Sequence, residues 1–111
     1  MSGWIGFDFD GTLSRLSDGQ PIPSMVERVK RFRSQGVEVR ICTARINSKM
    51  TDEHRVGHTE RIERWCLQHI GEVLPVTAEK DYDMALLYDD RAVAVLTDIG
   101  DCKTWLEVVE V

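Results

Sequence analysis

Apolar residues recur along the chain in short runs whose spacing changes between that of a strand and that of a helix. Residues 4–9 form an apolar run typical of a buried strand, which gives way to a glycine and a threonine. After a polar, proline-containing connection over 14–23, Ser24 and Glu27 match a capping box and open a helical apolar stripe that Gly36 ends. The first third of the chain therefore predicts a strand followed by a helix.

The rest of the chain continues this alternation. Residues 37–41 alternate apolar and charged side chains as in a strand, and a charged segment over 47–58 precedes a second amphipathic helix that Gly71 closes. Three further strands are predicted at 73–76, 84–88 and 92–96. Segment 105–111 is rich in β-branched residues, and its pattern does not distinguish a strand from a helix. The pattern predicts an α/β domain with a sheet of about five strands.

Length, charge and cysteine spacing limit the classes of protein to which the chain can belong. Its 111 residues suffice for one core but not for a second domain or a large lid. No run approaches the roughly 20 apolar residues that cross a bilayer, so we expect a cytoplasmic protein without membrane contact. The net charge of −5 disfavours extended nucleic-acid binding. Cys42, Cys66 and Cys102 lack paired spacing, which favours reduced thiols over a disulfide or zinc site.

Two pairs of acidic residues follow predicted strands. Asp8 and Asp10 would share a face of an extended segment, and two anions held so close need a cation, a shared proton or a substrate between them. Asp89 and Asp90 directly follow the strand predicted at 84–88. Ligands of open α/β sheets bind at such strand ends. The ordinary alternative is a solvated turn in which an aspartate bonds its own backbone.

Other polar residues at strand ends have two interpretations each. Thr43 follows the strand at 37–41, where its hydroxyl could donate to a phosphoryl oxygen or cap a helix. Lys80 lies among acidic residues, so it is either a solvated surface lysine or a cation that neutralises phosphoryl charge. Arg45 and Arg91 are either substrate-side cations or surface residues.

The order of these groups resembles the four motifs of the haloacid dehalogenase-like (HAD) phosphatase superfamily. The matching residues are Asp8-Phe9-Asp10-Gly11-Thr12, then Thr43, then Lys80, then Asp89-Asp90. The connections after Leu13 and between Gly71 and Lys80 are too short for a cap domain, so the sequence is most similar to the small capless members of bacteria and phages. The resemblance implies a single capless domain over 1–111, with a doubly wound, mostly parallel Rossmann-like sheet and the nucleophile strand at its centre.

This resemblance also implies a reaction, the hydrolysis of phosphate monoesters through an aspartyl-phosphate. A carboxylate such as Asp8 can act as the nucleophile, and Asp10 can give a proton to the leaving oxygen and later take one from water. Mg²⁺ would be held by Asp8, the backbone carbonyl of Asp10 and one or both of Asp89 and Asp90.

The phosphoryl group would be bound by residues of three segments. Thr43 and Lys80 would contact its oxygens, and backbone N–H groups of the turn from Phe9 to Gly11 would add to this cradle. The expected substrate-side residues are Phe9, Gly11, Thr43, Ala44 and Arg45.

Two other classes of function remain as alternatives. A receiver domain of a two-component system has a similar length and similar groups, but its adjacent acids come first and its phosphate-accepting aspartate comes later. A catalytically silent phospho-binding module on the same fold is the second alternative. For an enzyme, the substrate would be a phosphorylated small molecule or a terminal phosphate, and a homo-oligomer is compatible with the capless pattern.

Overall fold

The computed structural model describes residues 3–101, which form a four-stranded parallel sheet and two helices. The elements are β1 (Trp4–Phe7), α1 (Pro23–Ser34), β2 (Glu38–Cys42), α2 (Asp52–His69), β3 (Val76–Thr77) and β4 (Met84–Tyr88). The strand order is β3-β2-β1-β4, and all three pairings are parallel. The predicted α/β class is confirmed, and β1 lies inside the sheet between β2 and β4.

Both helices lie on one face of this sheet. The chain steps from β1 to β2 to β3 in one direction, and two right-handed crossovers in the same direction put both helices on the same side. The buried apolar residues of this face form one core: Ile5, Phe7, Phe9, Leu13, Val26, Val29, Val39, Ile41, Ile62, Cys66, Ile70 and Leu74. The doubly wound arrangement is therefore wrong for residues 3–101, because the connection 78–83 from β3 to β4 contains no helix.

The prediction of about five strands is also wrong, because residues 92–96 form no strand of the sheet in the described part of the chain. The apolar side chains of this stretch are exposed, and the N–H of Leu96 donates to the carbonyl of Asp101 in a turn. Directly after β4, the carboxylate of Asp89 accepts the N–H of Arg91 and turns the chain. The apolar run of residues 92–96 predicts a strand, but within residues 3–101 it pairs with no strand of the sheet.

Helix α1 begins one residue before the predicted cap. Its N-cap is Ile22, which makes no side-chain cap hydrogen bond, and Pro23 occupies the first helical turn. The fixed φ of proline suits that position, where its missing N–H costs nothing. Ser24 is thus already helical, and the capping box predicted with Glu27 is not the start of the helix.

Helix α2 begins earlier than predicted and β3 is shorter. The Thr51 hydroxyl accepts the N–H of His54 and caps α2, so most of the charged segment over 47–58 is helical. Strand β3 starts only at Val76, because Pro75 has no N–H for the sheet, although its carbonyl accepts a hydrogen bond from β2.

Two predictions concern cysteines and membrane contact. Cys42 and Cys66 are free thiols, whereas Cys102 and the segment 105–111 lie outside the described residues. Neither helix of the described chain has the length and apolar character needed to cross a membrane.

Candidate metal and phosphoryl site

The predicted site residues converge where the parallel strands end. Asp8 follows β1, Thr43 follows β2 and Asp89 follows β4, so all three lie at the carboxyl edge of the sheet. A cavity of about 270 Å³ opens at this edge. Its lining consists of Asp8, Asp10, Cys42, Thr43, Ala44, Arg45, Ala78, Lys80, Leu87, Asp89 and Arg91.

Three carboxylates form a compact cluster at one side of this cavity. One oxygen each from Asp8, Asp89 and Asp90 lies within 4.8 Å of the other two. The hydroxyl of Thr12 joins two of these residues, since it lies 3.4 Å from the Asp8 carboxylate as a donor and accepts the N–H of Asp90 at 3.1 Å. Carboxylate oxygens are the ligands that hard divalent cations prefer. The cluster could therefore hold a metal ion.

Gly11 permits the close approach of the cluster to the turn after β1. Its φ is +82°, a conformation that side chains rarely allow, and a Cβ at this position would lie 2.4 Å from an oxygen of Asp90. Its N–H donates to the carbonyl of Ser14 at 2.7 Å. In this conformation the glycine serves the turn rather than a phosphoryl oxygen.

Burial and the carboxylate cluster raise the pKa of Asp8. Its pKa is raised from 3.8 to about 6, first because burial removes water and then because Asp89 and Asp90 lie close by. The N–H of Phe9 acts in the opposite direction. A cation among the three carboxylates would offset this repulsion and favour the ionised form of Asp8. The charge distribution thus fits a divalent metal.

Asp10 stands apart from the cluster and is paired with Arg45. The guanidinium donates to both carboxylate oxygens at 2.7 Å, the bidentate geometry that gives the strongest pairs. Arg45 also lies over the Phe9 ring, 5.4 Å from its centroid, and Phe9 in turn packs edge-on against Trp65 of α2. Phe9 is therefore a buried support of the site and does not line the cavity.

Thr43 and Lys80 line the cavity from two further directions. Thr43 is 3 % exposed, and its hydroxyl oxygen accepts the N–H of Arg45 at 3.1 Å, which fixes the loop after β2. Its hydroxyl hydrogen remains available for a further acceptor. Lys80 is exposed, and its ammonium group makes no ion pair with a residue in 3–101.

Three residues at the site have no role predicted from the sequence: Thr12, Cys42 and Leu87. Thr12 was part of the matched motif, and its position four residues after Asp8 is the signal that could have indicated the bridge it makes. Cys42 gave no signal: burial raises the pKa of its thiol, while the nearby Lys80 opposes this. Leu87 adds an apolar wall.

The chain was also compared with known proteins. No protein-family model matches it, and no curated protein does. Among solved structures it is similar to a conserved protein from Bacteroides thetaiotaomicron, with a TM-score of 0.58 and 20% sequence identity over 99% of this chain and 88% of the other. At this level of identity the similarity supports the fold and carries no information about activity.

Proposed function

We propose that this protein is a Mg²⁺-dependent phosphatase of the HAD-like, capless type that hydrolyses phosphate monoesters through an aspartyl-phosphate on Asp8. The observation that carries the proposal is the carboxylate cluster of Asp8, Asp89 and Asp90, of which Asp8 and Asp89 line the same cavity as Asp10, Thr43 and Lys80. The proposed nucleophile, acid and phosphoryl-binding groups thus share one cavity, with Asp90 adjoining it through the cluster.

The reaction has two balanced steps. In the first, an oxygen of Asp8 attacks phosphorus, the ester P–O bond breaks, and the leaving oxygen takes a proton from Asp10. In the second, water attacks the same phosphorus and gives a proton to Asp10, the acyl phosphate bond breaks, and inorganic phosphate leaves with Asp8 regenerated. Bound Mg²⁺ would neutralise charge on the phosphoryl oxygens, with Asp8, Asp89 and Asp90 as its side-chain ligands.

Arg45 determines where Asp10 stands before the reaction. Because the guanidinium occupies both oxygens of Asp10, at least one of these hydrogen bonds must be released when Asp10 reaches a leaving oxygen. Thr43 and Lys80 are left to bind the phosphoryl oxygens, through a hydroxyl donor and a positive charge.

The proposed substrate class follows from the short connections between the elements of residues 3–101. Residues 8–22 and 70–75 connect elements without forming a lid of their own, and the connection 78–83 has only six residues. An open cavity accepts a phosphorylated small molecule or a terminal phosphate, and the net charge of −5 disfavours long polyanions.

A panel of phosphate monoesters tests the proposal. We expect the protein to hydrolyse an aryl phosphate with Mg²⁺ near neutral pH, and to lose this activity with a chelator or after Asp8→Asn. Asp18→Asn, an exposed aspartate outside the cavity, is the matched control and should keep full activity. Failure of metal-loaded parent protein on every ester would favour the silent phospho-binding module.

A further inference from the structure

Lys80 lies in a connection between two strands and not on a helix or a strand. It belongs to the connection 78–83, which joins β3 and β4 across the two strands between them. This connection contacts Trp4 and Arg40, whose side chains lie on the face of the sheet opposite the helices. No helix holds Lys80, and its side chain makes no hydrogen bond within the described chain.

The residue after Lys80 is the main attachment of this connection. One carboxylate oxygen of Asp81 accepts the indole N–H of Trp4 at 2.7 Å and the N–H of Asp83 at 2.9 Å. The other accepts a guanidinium N–H of Arg40 at 3.2 Å. The Trp4 indole lowers the pKa of Asp81 more than any other contact. Three donors thus converge on one side chain adjacent to Lys80.

The partners of Asp81 have further contacts of their own. Trp4 is 1 % exposed although it lies on the sheet face opposite α1 and α2; the guanidinium of Arg40 lies 4.4 Å from its ring centroid, and Gly6 leaves room for the ring. Arg40 is held a second time by Glu38, at 2.6 Å. The attachment is therefore built on β1 and β2, the strands that carry Asp8 and Thr43.

On the other side of Lys80 the backbone is fixed by Thr77. Its hydroxyl oxygen accepts the N–H of Glu79 at 3.0 Å, and its carbonyl accepts the N–H of Thr43 at 2.8 Å. Lys80 thus lies between two attached residues, Thr77 and Asp81. Of these, Asp81 is the one whose side chain is bound by side chains of other strands.

We infer that Asp81, held by Trp4 and Arg40, is a positioning residue that keeps Lys80 at the phosphoryl-binding cavity. This inference rests on the proposed function, because the proposed function is what assigns a phosphoryl ligand to Lys80. It predicts that loss of the Asp81 carboxylate weakens phosphate binding through Lys80, although Asp81 itself does not line the cavity.

The test measures Lys80 directly by trace acetylation of its amine and mass spectrometry, with Mg²⁺ and increasing inorganic phosphate. In the parent protein phosphate should slow acetylation. In Asp81→Ala the same protection should need at least about tenfold more phosphate, because small displacements of a binding group cost one to two orders of magnitude. Asp81→Asn, which retains an acceptor for the indole, should restore most of the protection.

Asp83→Ala is the matched control. Its carboxylate lies on the same connection and accepts no hydrogen bond from another described residue, so this variant should behave like the parent. Melting temperatures verify folding, and Trp4→Phe, which removes one donor and keeps a ring, replaces Asp81→Ala if that variant does not fold. Equal phosphate protection in the parent and in folded Asp81→Ala, or in Trp4→Phe where that variant replaces it, would overturn the inference, and so would the absence of protection in the parent.

A double-mutant cycle separates positioning from general stability. In kcat/KM with an aryl phosphate, Asp81→Ala should cost about tenfold alone and nothing further in the Lys80→Ala background. A full additional loss in that background would contradict the inference. Absence of hydrolysis by the parent would refute the proposed function instead, while the acetylation measurement would still decide the role of Asp81.

Discussion

Replacing Asp8 by asparagine should stabilise the metal-free protein while it abolishes activity. The substitution keeps the shape of the side chain and removes one of three neighbouring negative charges. The folded pKa of Asp8, about 6, lies above its ordinary value of 3.8, so the folded state binds the proton more tightly than the unfolded state does. The parent therefore loses stability as pH rises from about 4 to about 6, and the ionised carboxylate remains destabilising above that range.

The magnitude follows from the two pKa values and from the exposure of the carboxylate. A difference between 3.8 and about 6 corresponds to about 3 kcal/mol at about 1.4 kcal/mol for each tenfold change in proton affinity. Because Asp8 is only partly buried, water screens much of this energy, and we expect about 1 kcal/mol. For a domain of this size that raises the melting temperature by roughly 4 °C or more.

Thermal and urea unfolding with a chelator present, at pH 8 and at pH 4, measures this effect. Asp8→Asn should exceed the parent in stability at pH 8 and lose this advantage at pH 4, where Asp8 is protonated in the folded parent. Asp83→Asn, on the exposed connection, should match the parent at both pH values. Mg²⁺ should then stabilise the parent more than Asp8→Asn. An Asp8→Asn protein no more stable than the parent at pH 8 would refute the reasoning.

Three further predictions concern the rest of the site. Asp10→Asn should lower kcat by roughly 10²–10⁴-fold on alkyl phosphates and less on aryl phosphates, whose leaving groups need no proton; steady-state kinetics on both esters measures this, and an equal loss would contradict the acid role. Asp89→Asn and Asp90→Asn should each raise the Mg²⁺ concentration for half-maximal activity, at least tenfold for the nearer ligand, and an unchanged requirement in both would remove the pair from the metal site. Gly11→Ala should raise the Mg²⁺ requirement, because the added Cβ would lie 2.4 Å from an Asp90 carboxylate oxygen and would displace it. A metal titration equal to that of the parent would contradict this.

The positions of the acidic residues could be predicted because strand ends leave a clear signal. An apolar run that stops at a carboxylate specifies both a strand and the edge at which that carboxylate lies, and Asp8 and Asp89 follow this rule. The parallel pairing of β1 with β4 in the structure then brings them together. For the same reason Thr43, at the end of β2, could be placed at the same edge.

Pairings between side chains distant in sequence could not be predicted. Nothing in the local pattern indicates that Arg45 binds Asp10 or that Trp4 donates to Asp81, since these contacts depend on the packing of loops. The strand predicted at 92–96 is wrong for a related reason, because an apolar run describes one segment and a strand of the sheet also needs a neighbouring strand.

The doubly wound arrangement is wrong because the family pattern needs a helix in a connection that is too short to contain one. Six residues over 78–83 cannot hold a crossover helix, and this length is visible in the sequence. The first turns of α2 could not be predicted from apolar spacing because residues 52–58 are mostly polar, although Thr51 is a good N-cap.

The most direct test of the central claim is chemical trapping of phosphorylated Asp8. The parent is mixed with an aryl phosphate and Mg²⁺, quenched with acid and treated with hydroxylamine, which converts an acyl phosphate to a hydroxamate that mass spectrometry can locate. The account predicts a hydroxamate on Asp8, absent without Mg²⁺ and absent in Asp8→Asn. Hydrolysis of the ester that persists in Asp8→Asn, with no modification at Asp8 in the parent, would contradict it.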